Sequence, residues 1–92
     1  AALRASALQA DWATDFLDAA RRAAPKANVR LLGPAPAAMA KRAGRFHAQL
    51  LIESGERAAL HRFLDRWVPA VEALPEVRRV RWALDVDPLE LF

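Results

Sequence analysis

Cysteine is absent from the 92 residues, which excludes disulfides and thiolate metal sites together. Tyrosine is absent as well, and only two of the fourteen basic residues, Lys26 and Lys41, are lysines. With alanine so abundant, that skew fits a GC-rich coding bias as readily as a function, so composition assigns no partner. The two histidines, His47 and His61, have no ligand pattern near them, and no metal is expected in this chain. The three glycines form no glycine-rich ligand loop. No signal peptide is read, and no apolar run is long enough to span a bilayer. The net charge of +3 is modest, so an anionic partner follows only if the charges cluster. The length suits one small domain, residues 1–92, with a two-layer core, and is too short for a catalytic domain with a cleft between lobes. The chain opens without Met on an apolar run, and the expectation is a fragment of a longer cytosolic protein.

What is present is organised around residues 77–88, VRRVRWALDVDP. Val80, Trp82, Leu84 and Val86 fall on one face of a strand and Arg79, Arg81 and Asp85 on the other, so a core face backs onto a charged one. The opening AALRAS repeats this in miniature, with Leu3 inward and Arg4 outward. Residues 8–24 read as a helix whose apolar positions include Leu8, Trp12, Phe16, Leu17 and Ala20. Aspartates come early and Arg21 and Arg22 late, as the helix dipole prefers, and Pro25 marks the stop. A short strand follows, with Val29 and Leu31 inward and Arg30 outward, closed by Gly33 and Pro34. Residues 34–44, PAPAAMAKRAG, are expected to be an extended connector, because two prolines bar a central strand. RFHAQLLIE then alternates: Phe46, Ala48, Leu50 and Ile52 on one side, Arg45, His47, Gln49 and Glu53 on the other, with Leu51 the exception.

Ser54 is the expected N-cap of a second helix carrying Leu60, Phe63, Leu64, Trp67, Val68 and Val71 on its apolar stripe and Arg57, His61 and Arg62 on its polar one. Pro69 predicts a kink or restart between residues 65 and 69, and Leu74 and Pro75 a stop. Trp67 and Trp82 are expected in one core. The order strand, helix, strand, strand, helix, strand is the α+β, ferredoxin-like βαββαβ sandwich: a four-stranded, mainly antiparallel sheet with two helices on one face. In the strand order β4-β1-β3-β2 the open face gathers Arg79 and Arg81, then Arg4, then Arg45 with His47, then Arg30. Lys41 and Arg42 stand beside them at the end of the connector. Such a face neutralises phosphates without reading bases, and its aromatic poverty argues against base stacking. The plain alternative is that these arginines solvate an outer face or pair with Glu53 and Asp85. No nucleophile and base, and no convergent carboxylates, can be picked out, so no catalytic residue is assigned.

Two stretches resemble a known family. Residues 31–54, LLGPAPAAMAKRAGRFHAQLLIES, and residues 77–88 resemble the C-terminal domain of the PriA family of replication-restart helicases, also called primosomal protein N′. The likeness rests on a Leu-Gly-Pro-x-Pro turn, a Lys-Arg-x-Gly-Arg-aromatic lead-in to a strand ending Gln-Leu-Leu, and a terminal Trp-x-Leu-Asp-Val-Asp-Pro. Residues 89–92 suit that family's C-terminus. Family members often carry another basic or aromatic residue where this chain has His47 and Ala48. The resemblance implies a parent that is an ATP-dependent 3′-to-5′ DNA helicase, cytoplasmic, acting on stalled forks and D-loops. Its ATP, Mg and Zn would be bound upstream, with no cofactor in this fragment. It further implies forked and single-stranded DNA, other primosome proteins and the acidic, hydrophobic C-terminal tail of single-stranded DNA-binding protein as partners, and no membrane. For that tail, Arg57 and His61 at the start of the second helix are the expected cations, Arg57 clamping a carboxylate. A structural module, or a ferredoxin-like domain that binds a regulatory small molecule without DNA, remains the alternative.

Overall fold

Residues 1–86 are described by a computed structural model, with side chains at all of them except 37–40 and 42. The elements run β1 (Ala2–Ala7), α1 (Ala10–Arg22), β2 (Arg30–Arg42), β3 (Arg45–Glu53), α2 (Arg57–Glu72), a 3₁₀ segment (Pro75–Arg79) and β4 (Arg81–Asp85). The strands form one sheet in the order β2-β3-β1-β4, and all three pairings are antiparallel. This is the ferredoxin-like order expected from the succession of strands and helices.

Both helices cover one face. Leu3, Ala5, Ala48, Leu50 and Ile52 from the sheet meet Phe16, Leu17 and Ala20 of α1 and Leu60, Phe63, Leu64, Trp67 and Val71 of α2 in a single core. Trp67 is fully buried, stacks at a tilt on Phe63 with centroids 5.1 Å apart, and donates its indole N–H to the Ala20 carbonyl at 2.8 Å. That bond satisfies the one polar atom an otherwise apolar ring brings into the core. Trp82 is half-buried, 6.2 Å from the Phe16 ring, so both tryptophans reach the core and Trp67 is its centre.

Several local expectations are corrected. Residues 34–42 are not a connector but the second half of β2, which pairs with β3 as far as Arg42↔Arg45. Two prolines are tolerated because β2 is an edge strand, and the ladder skips between Leu32 and Ala35 and again between Pro36 and Lys41. Gly33, with φ of 111° and a cis bond to Pro34, lets the chain pass where a Cβ would sit 3.1 Å from the Ala35 nitrogen and 3.2 Å from the Gln49 oxygen. The Arg21 guanidinium holds the Gly33 carbonyl from α1. At the β2–β3 turn both Ala43 and Gly44 have positive φ, the sign a two-residue type I′ turn requires.

The first helix starts at Ala10 rather than at Leu8, and Leu8 is 62% exposed in the preceding loop. Ser54 is not the N-cap of α2. Its hydroxyl closes a local turn, accepting from the Glu56 N–H at 3.2 Å and donating to the Glu56 carbonyl at 2.9 Å, and Glu56 occupies the cap position without a side-chain bond. Pro69 does not restart α2, which continues to Glu72. Pro69 and Asp65 are both exposed, so the Asp65 carbonyl that loses its donor lies on the solvent side. The last strand begins at Arg81. Before it, Pro75 starts a 3₁₀ segment, and Val77 within it and Val80 just after it, one turn apart, both rest against the core. Asp87, Pro88 and residues 89–92 lie outside the described residues.

Candidate nucleic-acid interface and a recess at the second helix

Cross-strand register decides what the uncovered face of the sheet carries. Ser6 of β1 stands opposite Arg81 of β4 on one side and His47 of β3 on the other, giving one row across three strands. The next row is Ala83, Arg4, Gln49 and Ala35, and the one after it Asp85, Ala2, Leu51 and Leu32. Charge is therefore graded along the face. At one end are Arg81 and His47, joined by Arg45, whose Nε donates to Ser6 Oγ at 3.2 Å and whose Nη2 donates to the Ser6 carbonyl at 3.0 Å. Arg42 is the register partner of Arg45 at the same end. Toward the other end the basic residues meet acids: Arg4 pairs with Asp85 at 3.1 Å, and Arg30 stands opposite Glu53. Leu51 and Leu32, 38% and 37% exposed, make an apolar step between them.

Two expected members of the basic face lie elsewhere. Arg79 belongs to the 3₁₀ segment, not to the strand, and its guanidinium sits 5.3 Å from the centre of the Trp12 ring on α1. Lys41 pairs with Phe46, in the phase of the helix-covered face, and its ammonium lies 5.1 Å from the centre of the Phe46 ring. Both aromatic rings closest to the face, Phe46 and Trp82, share the phase of Ala48 and Leu3, which is the core side. Among the described residues the open face thus offers cations and hydrogen-bond donors but no ring on which a base could stack.

Ser6 is not singled out by the sequence, because a lone serine in an alanine-rich strand carries no signal. Only the β3-β1-β4 order makes it the centre of the row. The chain has no cysteine, and among the described residues no three His, Asp or Glu side chains group together.

A second feature lies where the sheet meets the start of α2. A recess of about 310 Å³ is lined by Ile52 and Glu53 at the end of β3, the turn at Ser54, Gly55 and Glu56, Arg57, Leu60 and His61 on the first turns of α2, and Val86. Ile52, Leu60 and Val86 supply apolar lining, Arg57 and His61 basic groups and Glu53 and Glu56 acidic ones. The expected pair Arg57 and His61 is thus brought together on one cavity. Two of its apolar residues, Ile52 on β3 and Val86 after β4, are placed beside α2 only by the folded sheet. No helix among the described residues is long and apolar enough to cross a membrane.

Comparison with known proteins places this architecture. Residues 1–89 match the model of the family described as Primosomal protein N C-terminal domain. The Replication restart protein PriA of Rickettsia prowazekii is 36% identical over 80 residues, 84% of this chain and 12% of that protein. The protein of the same name from Rickettsia conorii is 34% identical over 71 residues, 77% of this chain and 10% of that protein. That from Haemophilus influenzae is 38% identical over 63 residues, 68% of this chain and 8% of that protein. The chain therefore spans about a tenth of the length of the relatives it matches. With the family model matched over residues 1–89 and relatives at 34–38% identity, the chain belongs to the primosomal protein N C-terminal domain family, the C-terminal domain found in PriA replication restart proteins.

Proposed function

We propose that this domain serves replication restart as the DNA-contacting and partner-docking end of a PriA-type, ATP-dependent 3′-to-5′ helicase in the cytoplasm, and that it holds the phosphate backbone of forked or single-stranded DNA. The observation that carries the reading is the basic cluster: Arg81 of β4 and His47 and Arg45 of β3 gather around Ser6 of β1 and have no acid among their cross-strand neighbours. Guanidinium groups on a face without aromatic rings bind phosphates and carry no base readout. Each phosphate contact contributes roughly 0.7–0.9 to the slope of log affinity against log salt. Replacing Arg45 and Arg81 together by Gln should lower the slope by about two units on forked DNA, whereas Arg79→Gln, behind the sheet on Trp12, should leave it unchanged. An unaltered slope in the double variant assigns the face to solvation or to packing, the structural-module reading.

The recess at α2 favours a second role, docking of the acidic, hydrophobic tail of single-stranded DNA-binding protein. An apolar floor of Ile52, Leu60 and Val86 beside Arg57 and His61 suits a chain end that carries both a carboxylate and apolar side chains. Glu53 and Glu56, which also line the recess, would repel a carboxylate placed beside them and so favour its approach to Arg57. In the full-length parent, Arg57→Glu should weaken a tail peptide at least tenfold while forked-DNA binding stays within twofold. Equal loss of both would mean general damage, and no loss of peptide binding would place the site elsewhere.

A further inference from the structure

Val86 has two roles at once: it lines the recess at the start of α2, where it is 37% exposed, and it is the last described residue. From it the sequence continues as Asp87-Pro88-Leu89-Glu90-Leu91-Phe92, six residues with two carboxylates and three large apolar side chains. That is the chemistry that Arg57 and His61 beside Ile52 and Leu60 accommodate. Pro88 disfavours a helix at Asp87. In an extended run Asp87, Leu89 and Leu91 fall on one side and Glu90 and Phe92 on the other, so one side offers a carboxylate followed by two leucines.

We propose that residues 87–92 are an internal ligand of this recess, Asp87 turned to Arg57 and Leu89 and Leu91 to Ile52 and Leu60, so that a partner's acidic, apolar chain end enters only by displacing them. The regulatory half rests on the recess being the docking site for such a partner, whereas the occupancy does not. Reach is no obstacle, because six extended residues span about 20 Å. A segment tethered at the lip of its own site has an effective concentration on the order of millimolar, so weak intrinsic affinity suffices to fill it. An external ligand is then weakened by the fraction of molecules in which the site is open. At about 310 Å³ the recess is at the small end of ligand-sized clefts and has room for one such segment at a time. Glu53 and Glu56 also line it and repel a carboxylate placed beside them, which leaves Arg57 and His61 as the groups that hold Asp87. Occupancy leaves the phosphate-contacting cluster uncovered, since Arg81 and Ser6 stand at the other end of the β1–β4 ladder from Ala2 and Asp85.

The test compares this chain with one shortened after Val86, using the peptide DPLELF blocked at both ends so that only its two side-chain carboxylates are charged. In a nuclear magnetic resonance titration the peptide should move the amide signals of residues 52–61 in the shortened chain toward their positions in the intact one. The intact chain should bind the same peptide at least tenfold more weakly, and Arg57→Gln in the shortened chain should weaken it at least fivefold. Should the shortened chain fail to fold, Leu89→Ser with Leu91→Ser in the full-length chain takes its place. Because the chain has no cysteine, Ala58→Cys on the exposed side of α2 gives a single spin-label position. The label should broaden the amide signals of residues 89–92, and the double serine variant should lose that broadening. No shift with DPLELF in the shortened chain, or no broadening at residues 89–92, overturns the proposal. The tail peptide of single-stranded DNA-binding protein, titrated into both chains, separates occupancy from docking and should bind the shortened chain at least tenfold more tightly. Equal binding to both chains overturns the occupancy and leaves docking standing, whereas binding to neither while DPLELF binds overturns docking and leaves the occupancy standing.

Discussion

Arg45 is fastened to Ser6 by two hydrogen bonds, one to the hydroxyl at 3.2 Å and one to the backbone carbonyl at 3.0 Å. It is half-buried and reaches across from β3 to the end of β1, whereas Arg81, in the neighbouring row, is exposed. Two arginines that look equivalent on the charged face therefore differ in how much of each guanidinium is committed to the protein. Arg45→Ala should lower stability by about 1 kcal/mol as well as weaken DNA binding, while Arg81→Ala should weaken DNA binding with a stability change within about 0.5 kcal/mol. Chemical denaturation alongside a salt titration separates the two effects.

The Arg4–Asp85 pair holds the middle of the face near neutrality. Its side chains are 61% and 46% exposed, so breaking it should cost no more than about 1 kcal/mol. For binding the sign is opposite: Asp85→Asn releases Arg4 and removes a negative charge, and affinity for forked DNA should rise a fewfold at low salt with a steeper salt slope. Unchanged or weaker binding would show that phosphates do not approach the centre of the sheet.

Two backbone positions predict opposite outcomes from small substitutions. Gly33→Ala forces a Cβ against backbone atoms at 3.1 and 3.2 Å at a positive φ, and should destabilise by roughly 1–3 kcal/mol. Ala43→Gly relieves a left-handed alanine, φ 54°, in the β2–β3 turn and should stabilise by up to about 1 kcal/mol. Thermal or denaturant unfolding of the two variants, measured side by side, checks both signs.

The tryptophans should separate by depth. Trp67→Ala removes a fully buried ring and leaves the Ala20 carbonyl without its donor, and should cost on the order of 3–5 kcal/mol or abolish folding. Trp82→Ala, at a half-buried position, should cost distinctly less, and a larger loss at Trp82 would contradict the burial order.

Much of this was readable in the chain because β1, β3 and the two helices each bury one clean face. The alternation from Phe46 to Ile52 placed β3 correctly, and Leu51, which broke it, is one of the exposed apolar residues. What escaped the sequence depended on neighbours. Pro34 and Pro36 exclude a central strand, and nothing local says that β2 lies at an edge where they are harmless. Arg79 looked like a strand residue because Val80 and Trp82 alternate beyond it, yet Val77 and Val80 are also three apart, and the spacing that buries both valines took precedence. The charge clustering was legible as a sum of outward arginines, but its grading was not. That Arg4 meets Asp85 while Arg81 meets Ser6 is decided by register.

The bond from the Trp67 indole to the Ala20 carbonyl joins residues 47 apart in sequence, and the whole β2–β3 ribbon lies between them. Closing a loop of that size carries an entropic cost that only the finished core repays, so this contact belongs to the late part of folding. An indole that moves from water to a sealed, hydrogen-bonded site changes its emission, which makes Trp67 a built-in clock for the docking of α2 on α1. With Trp12 and Trp82 replaced by Phe, stopped-flow fluorescence should register that event after the far-ultraviolet signal of the helices has formed.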